Sequence, residues 1–229
     1  MTAPPSSPLT PDQVLLDGPK TADHLVILAH GAGAPMDSDF MAEAAQALGA
    51  SGHRVLRFEF PYMAARRGPE GRKRPPDRAP ILLARWQAVL DAAETLSGVR
   101  PEVANRPVIG GKSMGGRIAA LIAEQQPDRL SGLICLGFPL HAVGKPKTDR
   151  GATLEALSLP TLICQGERDS MGTASLLQSL ALPAGMQLHI LPDGDHSFKP
   201  RKASGRTEAQ NRAEAWSAIA DFLQGLPRL

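Results

Sequence analysis

Apolar residues along this chain occur in short continuous runs that alternate with longer stretches of helical spacing. The continuous runs end at Pro, Gly or polar residues and predict strands at 13–17, 24–30, 54–60, 107–110, 133–138, 160–166 and 186–192. Stretches with an apolar residue every three or four positions predict helices at 38–48, 81–96, 118–126 and 207–223. This alternation predicts an α/β fold, in which a mostly parallel sheet carries helices on both faces.

Three of the predicted helices have a clear apolar face that should point into the protein. Its members are Met41, Ala44, Ala45 and Leu48 in the first helix, Leu82, Trp86, Val89, Leu90 and Ala93 in the second, and Trp216, Ile219, Ala220 and Leu223 in the last. The last helix also has a defined start, because Thr207 and Gln210 have the spacing of a capping box.

The length of 229 residues fits a single α/β domain, which we expect over residues 13–229. Residues 1–12 are rich in Pro and Ser, and we expect them to be disordered. Only about 20 residues, 140–159, separate two predicted strands at the point where a helical lid could be inserted. We therefore expect no sizeable lid and an open sheet edge.

The pentapeptide 111–115, Gly-Lys-Ser-Met-Gly, is the most specific chemical pattern of the chain. It joins a predicted strand to a helical pattern, which is the context in which G-x-S-x-G forms a tight turn that presents its serine above the sheet. Ser113 is therefore a candidate nucleophile for acyl transfer. A phosphate-binding loop would need a glycine five residues before Gly111, and that position is Arg106.

Two later strands end in residues that can activate a serine. Asp169 follows strand 160–166 and His196 follows strand 186–192, and the carboxyl ends of parallel strands meet at one edge of a sheet. A histidine in reach of Ser113 can take its proton, and a carboxylate can orient that histidine. Other carboxylates remain candidates for this role, namely Glu167, Asp193 and Asp195, although Asp195 also suits a turn that shapes the histidine loop.

A glycine-rich turn at 30–35 follows strand 24–30 and leaves backbone N–H groups free to bind an oxyanion. We expect one donor to be the N–H of Ala32, with Gly33 as the alternative, and the second to be the N–H of Met114. We expect His30 to support the turn through a hydrogen bond of its ring.

These motifs make the chain resemble the α/β-hydrolase superfamily and, within it, the small, lidless proteins similar to dienelactone hydrolase. The resemblance rests on residues 30–35, 110–117, 165–169 and 194–198. It implies a serine hydrolase acting on a small ester, thioester or lactone, with catalytic Ser113, Asp169 and His196 and with no metal or organic cofactor. Acyl transfer to another acceptor would use the same residues. Because some members are non-catalytic scaffolds, a catalytically idle protein that binds partners or anionic ligands is the alternative.

Composition favours a cytoplasmic protein without nucleic-acid or membrane partners. The net charge is only +2, the N-terminus lacks the features of a signal peptide, and no apolar run approaches the roughly 20 residues of a membrane span. Both cysteines, Cys135 and Cys164, lie in predicted strands and should be reduced core residues. The remaining histidines show no metal-ligand spacing.

The segment 66–78 is rich in arginine and proline. It is either a solvated loop or a device for substrate capture at the catalytic edge of the sheet. In the second case Arg66, Arg67 and Arg74, together with Lys112, would bind an anionic substrate such as a carboxylate or phosphate ester. The expected partner is a small acyl substrate in either case, and the sequence does not indicate an oligomeric state.

Overall fold

A computed structural model of the chain describes residues 9–67, 71, 74–142 and 150–228. Within this part, one sheet contains the strands β1 Val14–Asp17, β2 Leu25–Ala29, β3 Arg54–Phe58, β4 Val108–Lys112, β5 Gly132–Leu136, β6 Thr161–Gly166 and β7 Met186–Leu191. Their order is β1-β3-β2-β4-β5-β6-β7, and only the edge strand β1 runs antiparallel to its neighbour. The mostly parallel sheet expected from the sequence is confirmed.

The described residues also form nine α-helices, most of which connect consecutive strands. They are α1 Asp39–Ala50, α2 Pro61–Ala64, α3 Ala79–Asp91, α4 Ala93–Ser97, α5 Pro101–Ala104, α6 Met114–Gln125, α7 Gly151–Glu155, α8 Ala174–Gln178 and α9 Glu208–Gln224. The short helices α2, α5 and α8 were not expected from the sequence, because four or five residues are too few for an apolar period to show.

The core lies on both faces of the sheet. Side chains of β2 alternate, so that Leu25 and Ile27 belong to one apolar cluster while Val26 and Leu28 belong to the other. Helices α3 to α6 cover the first face, and α1 and α9 cover the second. Every residue expected to point inward from the three amphipathic helices is buried.

Two of the four predicted helices differ from those observed by more than the usual one or two residues at an end. The helix predicted at 81–96 is interrupted at Ala92, whose φ of −101° and ψ of 4° leave the helical region and separate α3 from α4. Helix α6 begins at Met114 rather than four residues later, because the turn at Ser113 leads directly into the first helical turn. The predicted capping box of α9 is present, with Thr207 and Gln210 bonded reciprocally.

The described part of the segment between β5 and β6 contains no large inserted domain. Its described part holds α7 as the one α-helix, and residues 143–149 lie outside the described residues. At the N-terminus, the disorder expected for residues 1–12 stays a prediction for residues 1–8, which also lie outside them. Leu9 packs into the apolar core and Pro11–Gln13 form one 3-10 turn.

Both cysteines are free and buried, and they cannot form a disulfide with each other in this fold. Cys135 in β5 belongs to the apolar cluster on one face of the sheet, and Cys164 in β6 belongs to the cluster on the other face. Side chains on opposite faces point apart, which a disulfide does not tolerate.

His24 and His53 precede β2 and β3 and form a buried pair, with ring centroids 5.8 Å apart. Their side chains are largely enclosed, and among the described residues Nε2 of His53 has no hydrogen-bond partner. Burial lowers the pKa of both rings below the ordinary value of 6.5, and the nearby His24 lowers that of His53 further. Protonation of either ring therefore destabilises the folded state.

We predict that the protein loses stability as the pH falls below about 6.5. In that range the unfolded chain binds protons that the folded pair resists, so the free energy of unfolding decreases with decreasing pH. Urea midpoints at pH 7.5, 6.5 and 5.5 should fall in the wild type, and the fall should be smaller in the double variant His24→Gln/His53→Gln.

The matched control is His141→Gln, because His141 is only half-buried and lies outside this pair. It should keep the wild-type pH dependence. An unchanged pH dependence in the double variant would show that these two rings do not cause the loss. The buried His30, whose pKa is also lowered by burial, contributes to the pH dependence that remains.

Candidate active site

Ser113 occupies the turn between β4 and α6 in a strained backbone conformation, with φ of 53° and ψ of −113°. A non-glycine residue at positive φ costs about 1–3 kcal/mol and persists only where its surroundings hold it. Its N–H donates to the carbonyl of Leu136 in β5 at 2.9 Å. This bond fixes the turn against the neighbouring strand.

Glycines flank this turn because two backbone segments approach each other closely there. A Cβ at Gly111 would lie 2.2 Å from the carbonyl oxygen of Ala29, and a Cβ at Gly115 would lie 2.3 Å from the same oxygen. Both distances are far shorter than van der Waals contact. The two glycines therefore let β4 and α6 pack directly against the end of β2, as the sequence pattern implied.

Ser113, Asp169 and His196 come together at the carboxyl edge of the sheet. Oγ of Ser113 lies 2.8 Å from Nε2 of His196, and Nδ1 of His196 lies 2.7 Å from Oδ2 of Asp169. With the ring proton on Nδ1, that nitrogen donates to the carboxylate and Nε2 accepts from the serine hydroxyl. Asp169 is fully buried, whereas the imidazole is 25% exposed and can be reached from solvent.

The other acidic residues considered for this role contact other groups. Glu167 accepts the N–H of Asp193 at 2.7 Å, and Asp193 itself forms ion pairs with Arg168 and Arg201. Asp195 accepts backbone N–H groups of the histidine loop, as expected for a turn residue. Within the described residues, Asp169 is the carboxylate that contacts the His196 ring.

Gln165, at the end of β6, is a component of the site that sequence reasoning missed. Its Nε2 donates to Oδ2 of Asp169 at 2.9 Å and to the carbonyl of Gly172 at 2.6 Å, while its Oε1 accepts the N–H of Phe138 at 2.7 Å. The N–H of Met171 donates to the other carboxylate oxygen at 2.8 Å. A polar residue near the end of a mostly apolar strand, four residues before the acid, was the available signal.

The turn that follows β2 presents the N–H groups expected to bind an oxyanion. Within the described part of the chain, neither the N–H of Ala32 nor that of Gly33 donates a hydrogen bond. Met114 is the first residue of α6, where a helix leaves its N–H groups unpaired. Ala32, Gly33 and Ser113 line one cavity, and Met114 directly follows the serine in the chain.

His30 and Tyr62 fix the orientation of this turn. The N–H of Phe60 donates to Nε2 of His30 at 3.1 Å, so the ring proton lies on Nδ1, which donates to the carbonyl of Gly31 at 2.7 Å. The Tyr62 hydroxyl donates to the carbonyl of Ala32 at 3.0 Å. Because a trans peptide points its C=O and N–H in opposite directions, these bonds turn the N–H groups of Ala32 and Gly33 the other way.

A cavity of about 360 Å³ adjoins Ser113 and His196. Its apolar lining comes mainly from the turn after β2, from α1 and from the loop after Asp169, and includes Ala32, Ala34, Phe40, Met41 and Met171. Arg212 of α9 also lines it, but its guanidinium is paired with Glu43 and Glu208. This arrangement can enclose a small apolar group next to the serine.

Among the described residues of segment 66–78, no arginine lines this cavity. Arg67 forms ion pairs with Glu59 at 2.6 Å and Asp37 at 2.7 Å, and Arg66 lies over the Tyr62 ring and donates to the carbonyl of Arg74. The side chain of Arg74 is exposed. Residues 68–70, 72 and 73 of the segment lie outside the described residues.

Lys112 does line the cavity, but its ammonium group is bonded to the loop that carries His196. Nζ donates to the backbone carbonyl of His196 at 2.6 Å. Of the four basic residues proposed for substrate binding, three therefore lie elsewhere, and the fourth is engaged with the protein itself. The sequence could not distinguish these outcomes because it does not show which partner each charge finds.

The described residues contain no group of three or more His, Cys, Asp or Glu side chains arranged to hold a metal ion. Nor does any helix among them have the length and apolarity that crossing a membrane requires.

The family described as Alpha/beta hydrolase domain matches residues 22–224 of this chain. Solved structures similar to the chain include Est1E of Butyrivibrio proteoclasticus bound to ferulic acid, with a TM-score of 0.68 and 16% identity over 92% of this chain and 95% of that one. Dienelactone hydrolase of Anabaena variabilis has a TM-score of 0.69 and 18% identity, over 94% of this chain and 92% of that one. XC6422 of Xanthomonas campestris, an α/β serine hydrolase without a lid, has a TM-score of 0.67 and 19% identity, over 94% of this chain and 90% of that one. At these identities the likeness shows a shared fold.

We predict that Tyr62 ionises near pH 12. Burial raises the pKa of its hydroxyl from 10.0 to about 12, a change that Arg66 partly opposes. Tyr62 is the one tyrosine of the chain, so absorbance at 295 nm during an alkaline titration reports this group alone. The midpoint should lie near 12 in the folded protein and near 10 in urea.

Far-ultraviolet circular dichroism at each pH must show that the protein is still folded, and Tyr62→Phe should lose the absorbance change. A midpoint near 10 in folded protein would contradict the enclosed, hydrogen-bonded position of the hydroxyl in the turn.

Proposed function

The chain belongs to the α/β-hydrolase family, and we propose that it is a serine hydrolase that cleaves a small ester, thioester or lactone through an acyl-enzyme on Ser113. One observation carries this proposal: Ser113, His196 and Asp169 form a continuous hydrogen-bonded chain with separations of 2.8 and 2.7 Å. A serine that merely shaped a turn would not need a buried carboxylate to orient its histidine partner.

In the proposed reaction, Oγ of Ser113 attacks the carbonyl carbon of the substrate while Nε2 of His196 takes the hydroxyl proton. The tetrahedral intermediate collapses as the bond to the leaving group breaks, and His196 gives that proton to the leaving group. Water then attacks the acyl-enzyme while His196 takes one of its protons. His196 passes that proton to Oγ of Ser113 as the bond to the acyl group breaks, which releases the acid and free Ser113. No metal or organic cofactor takes part in this scheme.

Asp169 holds the imidazole with its proton on Nδ1 and stabilises the positive charge that develops on it. The oxyanion of the intermediate binds the N–H of Met114 and that of Ala32, or of Gly33 as the alternative. Each such donor contributes about 3 kcal/mol to stabilisation of the transition state. The bonds from His30 and Tyr62 to the turn carbonyls support this role, because they hold the donors in place before the substrate binds.

The cavity beside Ser113 favours a small, largely apolar acyl or leaving group. An anionic substrate stays a prediction, because the arginines on which it was based do not line this cavity. Rates on matched neutral and anionic esters at low and high salt test it, and equal rates without a salt effect would remove it. A cytoplasmic location and the lack of nucleic-acid partners also stay predictions.

The direct test is covalent labelling with a fluorophosphonate probe. Wild-type protein should be labelled on one serine, and Ser113→Ala should be unlabelled and should hydrolyse small activated esters at least about 10³-fold more slowly. A panel of esters, thioesters and lactones then identifies the preferred bond.

Ser197→Ala is the matched control, since Ser197 also lines the cavity but lies outside the hydrogen-bonded chain. It should remain labelled. If wild-type protein stays unlabelled where a control esterase reacts, the hydrolase proposal fails and the non-catalytic scaffold takes its place.

A second prediction concerns Gln165, which positions Asp169. Gln165→Met keeps the volume but removes the donor to the carboxylate, so kcat should fall about ten- to hundredfold with little change in KM, because the orientation of His196 matters in the transition state. Initial rates over a range of ester concentrations separate the two constants.

Thr161→Val is the control, because Thr161 is a buried polar residue at the opposite end of β6. It should lower stability without changing kcat. Equal kcat losses in the two variants would mean that Gln165 acts only through stability.

A further inference from the structure

Lys112 is a buried cation directly before the proposed nucleophile. Its side chain is 9% exposed, and Nζ donates to the backbone carbonyl of His196 at 2.6 Å. The bond joins the end of β4 to the loop after β7, which are separated by two strands in the sheet. Lys112 is therefore the short link between the backbone that carries Ser113 and the backbone that carries its base.

The space around this link is formed by the backbone after β5. Gly137 has a positive φ of 67°, and a Cβ there would lie 3.0 Å from Nζ of Lys112 and 2.9 Å from the carbonyl oxygen of His196. A side chain at this position would press on both partners of the hydrogen bond. The absence of one leaves room for the ammonium group between β5 and the histidine loop.

The remaining contacts of the ammonium are apolar or distant. Nζ lies 5.5 Å from the centre of the Phe40 ring, a cation–π contact, and Lys112 forms no ion pair within the described part of the chain. Its charge is thus enclosed by a carbonyl, a ring and glycine backbone. A buried charge without a direct ion pair is costly.

We propose that the charged side chain of Lys112 is a positioning residue, which holds the His196 loop in register with Ser113 and so sets the alkaline limit of activity. This inference rests on the proposed hydrolase function. The physical reason is that an N–H of an ammonium group makes a shorter and stronger hydrogen bond to a carbonyl than an N–H of a neutral amine. Loss of the proton weakens the link between the two loops.

The charges that face Lys112 come from several elements. Asp169 lies in the loop after β6, Asp195 and His196 lie in the loop after β7, and Arg212 of α9 contacts the same Phe40 ring. Burial lowers the pKa of the Lys112 ammonium from 10.5 to about 8, and the carboxylates of Asp169 and Asp195 partly offset this. The group is therefore charged below about pH 8 and increasingly neutral above it.

The test is the dependence of kcat on pH between 6 and 10 for a neutral activated ester. Wild-type kcat should decline above about pH 8. Lys112→Met should lower kcat about ten- to hundredfold at pH 7 with little change in KM, and its profile should lack the decline near pH 8. Lys112→Arg keeps a charge that does not titrate in this range, so it should regain part of the rate and also lack the decline.

Lys199→Met is the matched control, since Lys199 is an exposed lysine in the same histidine loop. It should keep the wild-type rate and the decline near pH 8. The inference is overturned if both Lys112 variants retain this decline, or if folded Lys112→Met matches the wild type throughout. Circular dichroism identifies a variant that fails to fold, in which case Lys112→Arg decides.

A measurement without turnover separates this inference from the proposed function. The ring ¹⁵N resonances of His196 should shift near pH 8 in the wild type but not in Lys112→Arg, whether or not the protein hydrolyses esters. If wild-type protein is unlabelled by the fluorophosphonate probe, the proposed hydrolase function fails and the resonances alone decide the positioning role. A wild-type titration without a step near pH 8 would overturn that role even if the protein is an active hydrolase.

Discussion

The close approach of three backbone segments at the end of β2 is the constraint on which the site depends. The carbonyl oxygen of Ala29 lies so close to Gly111 and Gly115 that a Cβ at either position would collide with it. Only glycine at these two positions lets β4 and α6 pack against the end of β2. The chain between these glycines has to turn within three residues, and Ser113 accepts a positive φ in order to do so. The strain is held because the strand before the turn and the helix after it are both buried in the core.

Three loops at the carboxyl edge are held in place by buried polar groups. Gln165 holds the carboxylate of Asp169, Lys112 holds the backbone of His196, and His30 and Tyr62 hold the turn after β2. Loops are otherwise the more mobile parts of a fold, and hydrogen bonds of this kind reduce the conformational entropy that would be lost on binding. The edge of the sheet thus acquires a fixed geometry from side chains that lie outside the hydrogen-bonded chain of Ser113, His196 and Asp169.

The charged residues show where sequence reasoning was weakest. The arginines of segment 66–78 were expected to attract an anion, but Arg67 is neutralised by Glu59 and Asp37, which lie 8 and 30 residues away in the chain. Lys112 was expected to add to the same field and instead bonds a carbonyl 84 residues further on. Gln165 escaped notice because a lone polar residue in a strand does not reveal its partner. A charge or an amide is therefore informative only once its neighbours are known.

The sequence by itself determined the strands, the longer helices and their order along the chain, because burial on two faces produces continuous apolar runs in the strands and a period near 3.6 in the helices. It also determined the turn at Ser113, since the glycines and the strand before them are local features. Tertiary structure alone decided that Asp169, and not Glu167 or Asp193, contacts His196, and that the basic side chains serve the protein's own loops. Those outcomes depend on distances between segments far apart in the chain, which a local pattern does not contain.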